Sequence, residues 1–109
     1  MNQGVELDNR EIVSYVGRLY KNAKCIVDMY EMNETSVLDD NYMQQKALLN
    51  IVDRILLQCD SQSRFLLKNV YFKNNEKKWY QQYYASSTYY RLKKKAVDEF
   101  VELLDSFEH

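Results

Sequence analysis

The residues best suited to chemistry form one run, Ser86-Ser87-Thr88-Tyr89-Tyr90-Arg91-Leu92-Lys93-Lys94-Lys95-Ala96. Hydroxyl groups open it and four cations follow. Short polar side chains at a helix start leave backbone N–H groups and the positive dipole end open to a phosphate or a base acceptor. Between Arg64 and Lys95 there are nine Lys/Arg and a single carboxylate, Glu76, a net charge of +8. The whole 109-residue chain carries −1. A concentration of cations on that scale suits the phosphate backbone of double-stranded DNA.

Side-chain chemistry suggests a role for each residue. Arg91 has the planar fork for a bidentate contact to guanine O6 and N7, or for a phosphate clamp. Ser86, Ser87 and Thr88 are candidates for hydrogen bonds to a phosphate or a base edge. Tyr90 can donate to a phosphate or press its ring on a thymine methyl. Lys93, Lys94 and Lys95 are flexible point charges and suit phosphates. Lys73, Lys77 and Lys78 would touch the backbone from the preceding turn and helix. Roughly six to eight such contacts would lower log affinity by about 0.9 each per log unit of salt.

These residues need two crossed helices to present them. A helix-turn-helix joins a short helix to a second one through a tight turn, and the second helix leaves one face free for the major groove. The sequence suggests a short helix over Glu76–Tyr83, a turn at Tyr84-Ala85-Ser86, and a helix opening at Ser86 or Ser87 and running to Phe107. Its inward stripe is Tyr89, Leu92, Ala96, Phe100, Leu103 or Leu104, and Phe107.

The rest of the chain reads as helical. It has no Pro and only two Gly, Gly4 and Gly17, too few for the turns an all-β chain requires. Hydrophobic content of 46% with 28% charged residues suits one globular domain over 1–109. Asp8 or Asn9 can cap a first helix, with Glu11 in its first turn. Ile12, Val16, Leu19, Ala23, Ile26 and Tyr30 step along it as an apolar face. Met32–Ser36 is a polar break. A second helix begins at Ser36 or Asp40 and ends at Cys59, with Leu38, Tyr42, Gln45, Leu48 or Leu49, Val52, Ile55, Leu56 and Cys59 as its stripe. Asp39-Asp40 reads as its cap. Residues 8–59 thus suit an antiparallel helical hairpin, and the same stripes would also serve a homodimer. A third helix spans Gln62–Phe72, burying Phe65, Leu66, Val70 and Leu67. Residues 60–107 form the helix-turn-helix part, and the fold class is all-α with about five helices. Gly17, inside the first helix, would admit a close helix crossing.

Several functions find no support. There is no Gly-rich phosphate loop and no Cys/His pair, so an enzyme is not expected. Cys25 and Cys59 lie apart with a single His at position 109, which gives neither a zinc pattern nor a disulfide framework. Both cysteines read as buried thiols in a reducing cytoplasm. No metal or cofactor is expected. No apolar run is long enough to span a membrane, and the opening residues lack a secretory pattern.

The run Ser87–Ala96 resembles the recognition helix of sigma-70 region 4 domains, which commonly read Ser-Thr-Val, then Arg-Leu, then basic residues and Ala. Trp79-Tyr80 through Phe100 is similar to the ArpU- and RinA-type phage late transcription regulators and to related small Gram-positive proteins. The similarity covers roughly residues 60–104. It implies a DNA-binding transcription regulator, phage-derived, acting near RNA polymerase. The Ala of the usual sigma first helix is absent from Lys77–Tyr84, and no Gly precedes the second helix.

Two other readings remain. The basic face could be simply solvated, or meet RNA, an acidic protein or an anionic membrane surface. Residues 1–60 are net −4, against +3 for residues 61–109. The acidic hairpin could therefore be the working surface of a protein–protein interaction module that binds RNA polymerase or another regulator without gripping DNA alone.

Overall fold

A capping box starts the first helix. The Asp8 carboxylate accepts from the Glu11 backbone N–H at 2.9 Å, and the Glu11 carboxylate accepts from the Asp8 N–H at 3.1 Å. In the computed structural model, which describes residues 7–33 and 39–107, α1 runs Asn9–Met32 and α2 runs Asp40–Gln58. Asp39 caps α2, accepting from the N–H groups of Asn41 and Tyr42. The expected break at Glu34–Ser36, the alternative start at Ser36 and the place of Leu38 lie outside the described residues.

The two helices are antiparallel neighbours. Tyr20 on α1 donates its hydroxyl to Asp53 on α2 at 2.9 Å, and Tyr42 on α2 donates to Glu31 on α1 at 2.7 Å. As residue numbers rise on one helix, partners fall on the other. The α2 stripe is the expected one: Leu49, Val52, Ile55, Leu56 and Cys59 are buried. On α1 the inward face is displaced by about one residue. Val13, Gly17, Ala23 and Val27 are buried, Ile12, Val16, Ile26 and Tyr30 are half-buried, and Leu19 is exposed. The cause is that α1 packs on α2, on the segment after the third helix, and on the last helix. The centre of its buried arc lies between the directions of these partners.

Gly17 has the role of a close-approach residue. A Cβ built there would run into the Tyr71 carbonyl oxygen, with the carbonyl carbon at 3.1 Å. Any side chain would push the two backbones apart.

The third helix, α3, is Ser61–Leu67, and it widens into a π turn over Lys68–Phe72. Leu66, Leu67 and Phe72 are buried, while Phe65 is more exposed than its apolar character suggests. A π turn adds a residue to the helical cycle and so rotates the side chains beyond it. Here Phe72 packs on Tyr20 and Phe100, with ring centroids at 5.4 and 5.6 Å. Tyr71 is set against Gly17.

The short helix expected over Glu76–Tyr83 is reduced to one 3-10 turn, Trp79–Gln82. Adjacent residues in this turn pack on different helices. Trp79 meets Phe65 of α3 at 5.7 Å, and Tyr80 meets Tyr89 of the last helix at 3.8 Å. Aromatic side chains also give little helix propensity of their own. Tertiary anchoring therefore fixes this turn, and Tyr83–Ala85 links it to α4, Ser86–Phe107.

The core is shared. Val13, Ile55, Leu66, Phe72, Val97 and Phe100, drawn from all four helices and the π turn, lie in one buried cluster. On α4, Tyr89, Ala96, Val97 and Phe100 are buried and Leu92, Leu103 and Leu104 are half-buried. Phe107 is exposed, with the Arg54 guanidinium over its ring at 5.6 Å. Cys25 departs from expectation: it is exposed, while Cys59 is buried and its thiol is pushed up to about 11 by desolvation. Position 25 lies just past the shifted α1 face. No described helix is long and apolar enough to cross a membrane.

Candidate nucleic-acid interface

The N-terminal half of α4 holds most of the residues singled out from the sequence. At 100° per residue, Ser87, Arg91 and Lys94 form one outward stripe, with Tyr90 on one flank and Lys95 on the other. All five are exposed, and Ser86 is too. Thr88 and Lys93 are half-buried. Tyr89, Ala96 and Phe100 point to the core, so the helix keeps its basic face free by burying the opposite one.

The start of α4 has no side-chain cap among the described hydrogen bonds. Ala85 precedes the helix and offers only its carbonyl, which accepts from the Tyr89 N–H at 2.9 Å. The seryl hydroxyls expected to cap the helix instead stand exposed beside open backbone amides.

The cations separate into groups. Lys93 and Lys94 share a groove of about 580 Å³ with Tyr90, Asp98, Asn9 and Arg10. Lys93 and Tyr90 also border a second hollow of about 350 Å³ with Lys77 and Lys78. Lys73 lies in a third, about 240 Å³, beside Asn75, Trp79 and Tyr83. Arg91 and Lys95 face solvent on the stripe. Lys94 pairs with Asp98 at 2.9 Å, an exposed i,i+4 contact. Such a pair is worth little to stability, so its lysine can change partners at small cost. The Lys94 ammonium beside it, with help from the Asn9 amide at 2.9 Å, holds the Asp98 carboxyl below its usual range.

Lys93 is held differently. Its ammonium lies over three rings, Tyr71 at 6.0 Å, Tyr89 at 5.9 Å and Tyr90 at 5.7 Å. Burial pushes its pKa down, and the Arg10 guanidinium adds to the shift.

The chain matches no family model, no curated protein and no solved structure.

Arg64 leaves the group. Although it opens the basic stretch, its guanidinium donates to the carbonyls of Leu56, Leu57 and Cys59 at 2.9, 3.2 and 3.1 Å. It closes the C-terminal end of α2, and its charge is occupied inside the fold. Arg10 enters the group instead. It sits at the other end of the sequence, and nothing local marks it as a neighbour of Lys93. The Lys94–Asp98 pair, by contrast, has the i,i+4 spacing that joins neighbours on a helix surface.

Proposed function

We propose that the chain is a DNA-binding transcription regulator whose α4 enters the major groove by its N-terminal half. The observation that carries this reading is the uncovered stripe Ser87, Arg91 and Lys94, with Tyr90 and Lys95 beside it. In that pose Arg91 reads a base edge or clamps a phosphate. Lys94 and Lys95 meet the backbone, and Ser86, Ser87 and Thr88 bring hydroxyls and open amides to it. The 3-10 turn Trp79–Gln82 takes the place of the first helix of a helix-turn-helix, with Lys77 and Lys78 at its start as backbone contacts and Lys73 further out. The resemblance of Ser87–Ala96 to sigma-70 region 4 recognition helices supports the same reading, and with it a phage-type regulator working near RNA polymerase in the cytoplasm.

Fluorescence anisotropy with duplex DNA, titrated across salt, tests this. The unsubstituted protein binds with a steep negative slope of log affinity against log salt, and Arg91→Ala with Lys94→Ala flattens it by about 1.8. Binding that is unchanged in that double variant removes α4 from the interface.

A second reading has its own observation. Met29, Met32 and Met43 are exposed at one end of the acidic hairpin, and thioethers suit adaptable protein contacts. Capture of RNA polymerase by a chain that fails to bind DNA would favour this interaction module.

A further inference from the structure

We propose that Arg10 of α1 and Lys93 of α4 clamp one backbone phosphate of bound DNA in the groove between their helices. The inference rests on the DNA-binding reading above and extends the interface to the N-terminal hairpin.

The groove brings together two elements distant in sequence. Asn9 donates to Asp98 at 2.9 Å and so pins the first turn of α1 beside α4. This fixes Arg10 along the same groove as Lys93, Lys94 and Tyr90. The carboxylates in the groove are already engaged: Asp8 with Arg10 at 3.3 Å, and Asp98 with Lys94 at 2.9 Å. Lys93 has no carboxylate partner among the described residues. Three tyrosine rings hold its ammonium in place, so it does not sweep through solvent as a surface lysine does.

Two like charges face a partly desolvated space here, and no anion from the described residues balances the second. That arrangement disfavours the empty state and is relieved by a bound anion. The volume of about 580 Å³ admits a phosphate with its neighbouring sugars. The Tyr90 hydroxyl and Lys94 border the same space, continuous with the outward stripe of α4. A duplex lying on that stripe therefore presents its phosphates at this groove. Free phosphate offers the same charge, but the site is open along its length and suits a diester strand running through it.

The test compares three single variants by salt-dependent DNA binding and by thermal unfolding. Arg10→Gln and Lys93→Met each lose one phosphate contact, so the slope flattens by about 0.9 and affinity falls roughly eightfold at about 0.1 M salt. Lys93→Met keeps its apolar stem and removes a desolvated charge, so its Tm is unchanged or raised while DNA affinity falls. Lys24→Gln, on α1 but outside this groove, removes the same charge and leaves the slope unaltered. DNA binding with an unchanged slope in Arg10→Gln overturns the clamp and leaves α4 as the DNA-binding element. Equal flattening in Lys24→Gln also overturns it, because net charge alone would then account for the loss. Failure of the unsubstituted protein to bind DNA at all overturns both proposals.

Discussion

The rings of Tyr80 and Tyr89 lie face to face, 3.8 Å between centroids and 4° from parallel. Tyr80 belongs to the 3-10 turn and Tyr89 to the first turn of α4. Trp79 meets the same Tyr89 ring edge-on at 5.9 Å. The stack is therefore the joint that sets the 3-10 turn, with Lys77 and Lys78 before it, against the basic stripe. Tyr89→Ala removes the buried side of that joint and should cost about 3 kcal/mol or more in urea unfolding. Tyr80→Phe keeps the stacked ring and should cost much less. Equal losses in the two variants would place the energy in the Tyr80 hydroxyl instead of the stack.

Alkali should loosen the same joint. Desolvation pushes the Tyr89 hydroxyl up to about 12, and it does the same to Tyr20, where the hydrogen bond to Asp53 adds to the effect. Both raised values mean that the fold holds the neutral phenol. Their contribution is complete below about pH 10, the ordinary phenol value, and is lost as pH rises from there toward about 12. Unfolding midpoints should fall across that window. Phenolate absorbance should show two tyrosines titrating late, and Tyr20→Phe should remove one of them and soften the decline.

Gly17→Ala sets two effects against each other. Alanine gains about 1 kcal/mol of helix propensity over glycine. Its Cβ, however, meets the Tyr71 carbonyl, which is backbone held in the π turn and cannot swing away as a side chain could. Overpacking of that kind costs about 1–3 kcal/mol, and contact with a fixed backbone puts the cost at the upper end. Net destabilisation by denaturant unfolding is expected. A stabilised variant would mean that the π turn yields to the new methyl group without loss.

Arg64→Ala separates a structural cation from a ligand-facing one. It strips the carbonyls of Leu56, Leu57 and Cys59 of their donor. Loss of hydrogen bonds from a charged group at part-buried positions should cost about 1.5–3 kcal/mol. The salt slope of DNA binding should stay as it was. A flattened slope would return Arg64 to the interface.

Much of the fold is legible in the sequence because it is local. Asp8 with Glu11 and Asp39 before its helix are capping patterns readable from spacing alone. The α2 stripe and the inward positions Tyr89, Ala96 and Phe100 follow from helical periodicity. The features that escape a sequence reading depend on distant partners. The one-residue displacement of the α1 face comes from several neighbours packing on it at once. The collapse of Glu76–Tyr83 into a 3-10 turn comes from Phe65 and Tyr89 pulling adjacent rings toward different helices. Arg10 joins Lys93 only because Asn9 meets Asp98, and Arg64 leaves the basic group because α2 ends beside it. Charge counted along a chain does not show which charges the fold consumes. Cys25 teaches the same point: apolar neighbours in sequence do not bury a residue that falls off the packed arc.

Backbone amide shifts of the isotopically labelled protein, followed while a short duplex is added, test the central claim most directly. The account predicts shifts gathered at Ser86–Lys95, at Lys77 and Lys78, and at Arg10, with the α2 surface still. Shifts confined to the acidic hairpin, or no shifts at low salt, would contradict it.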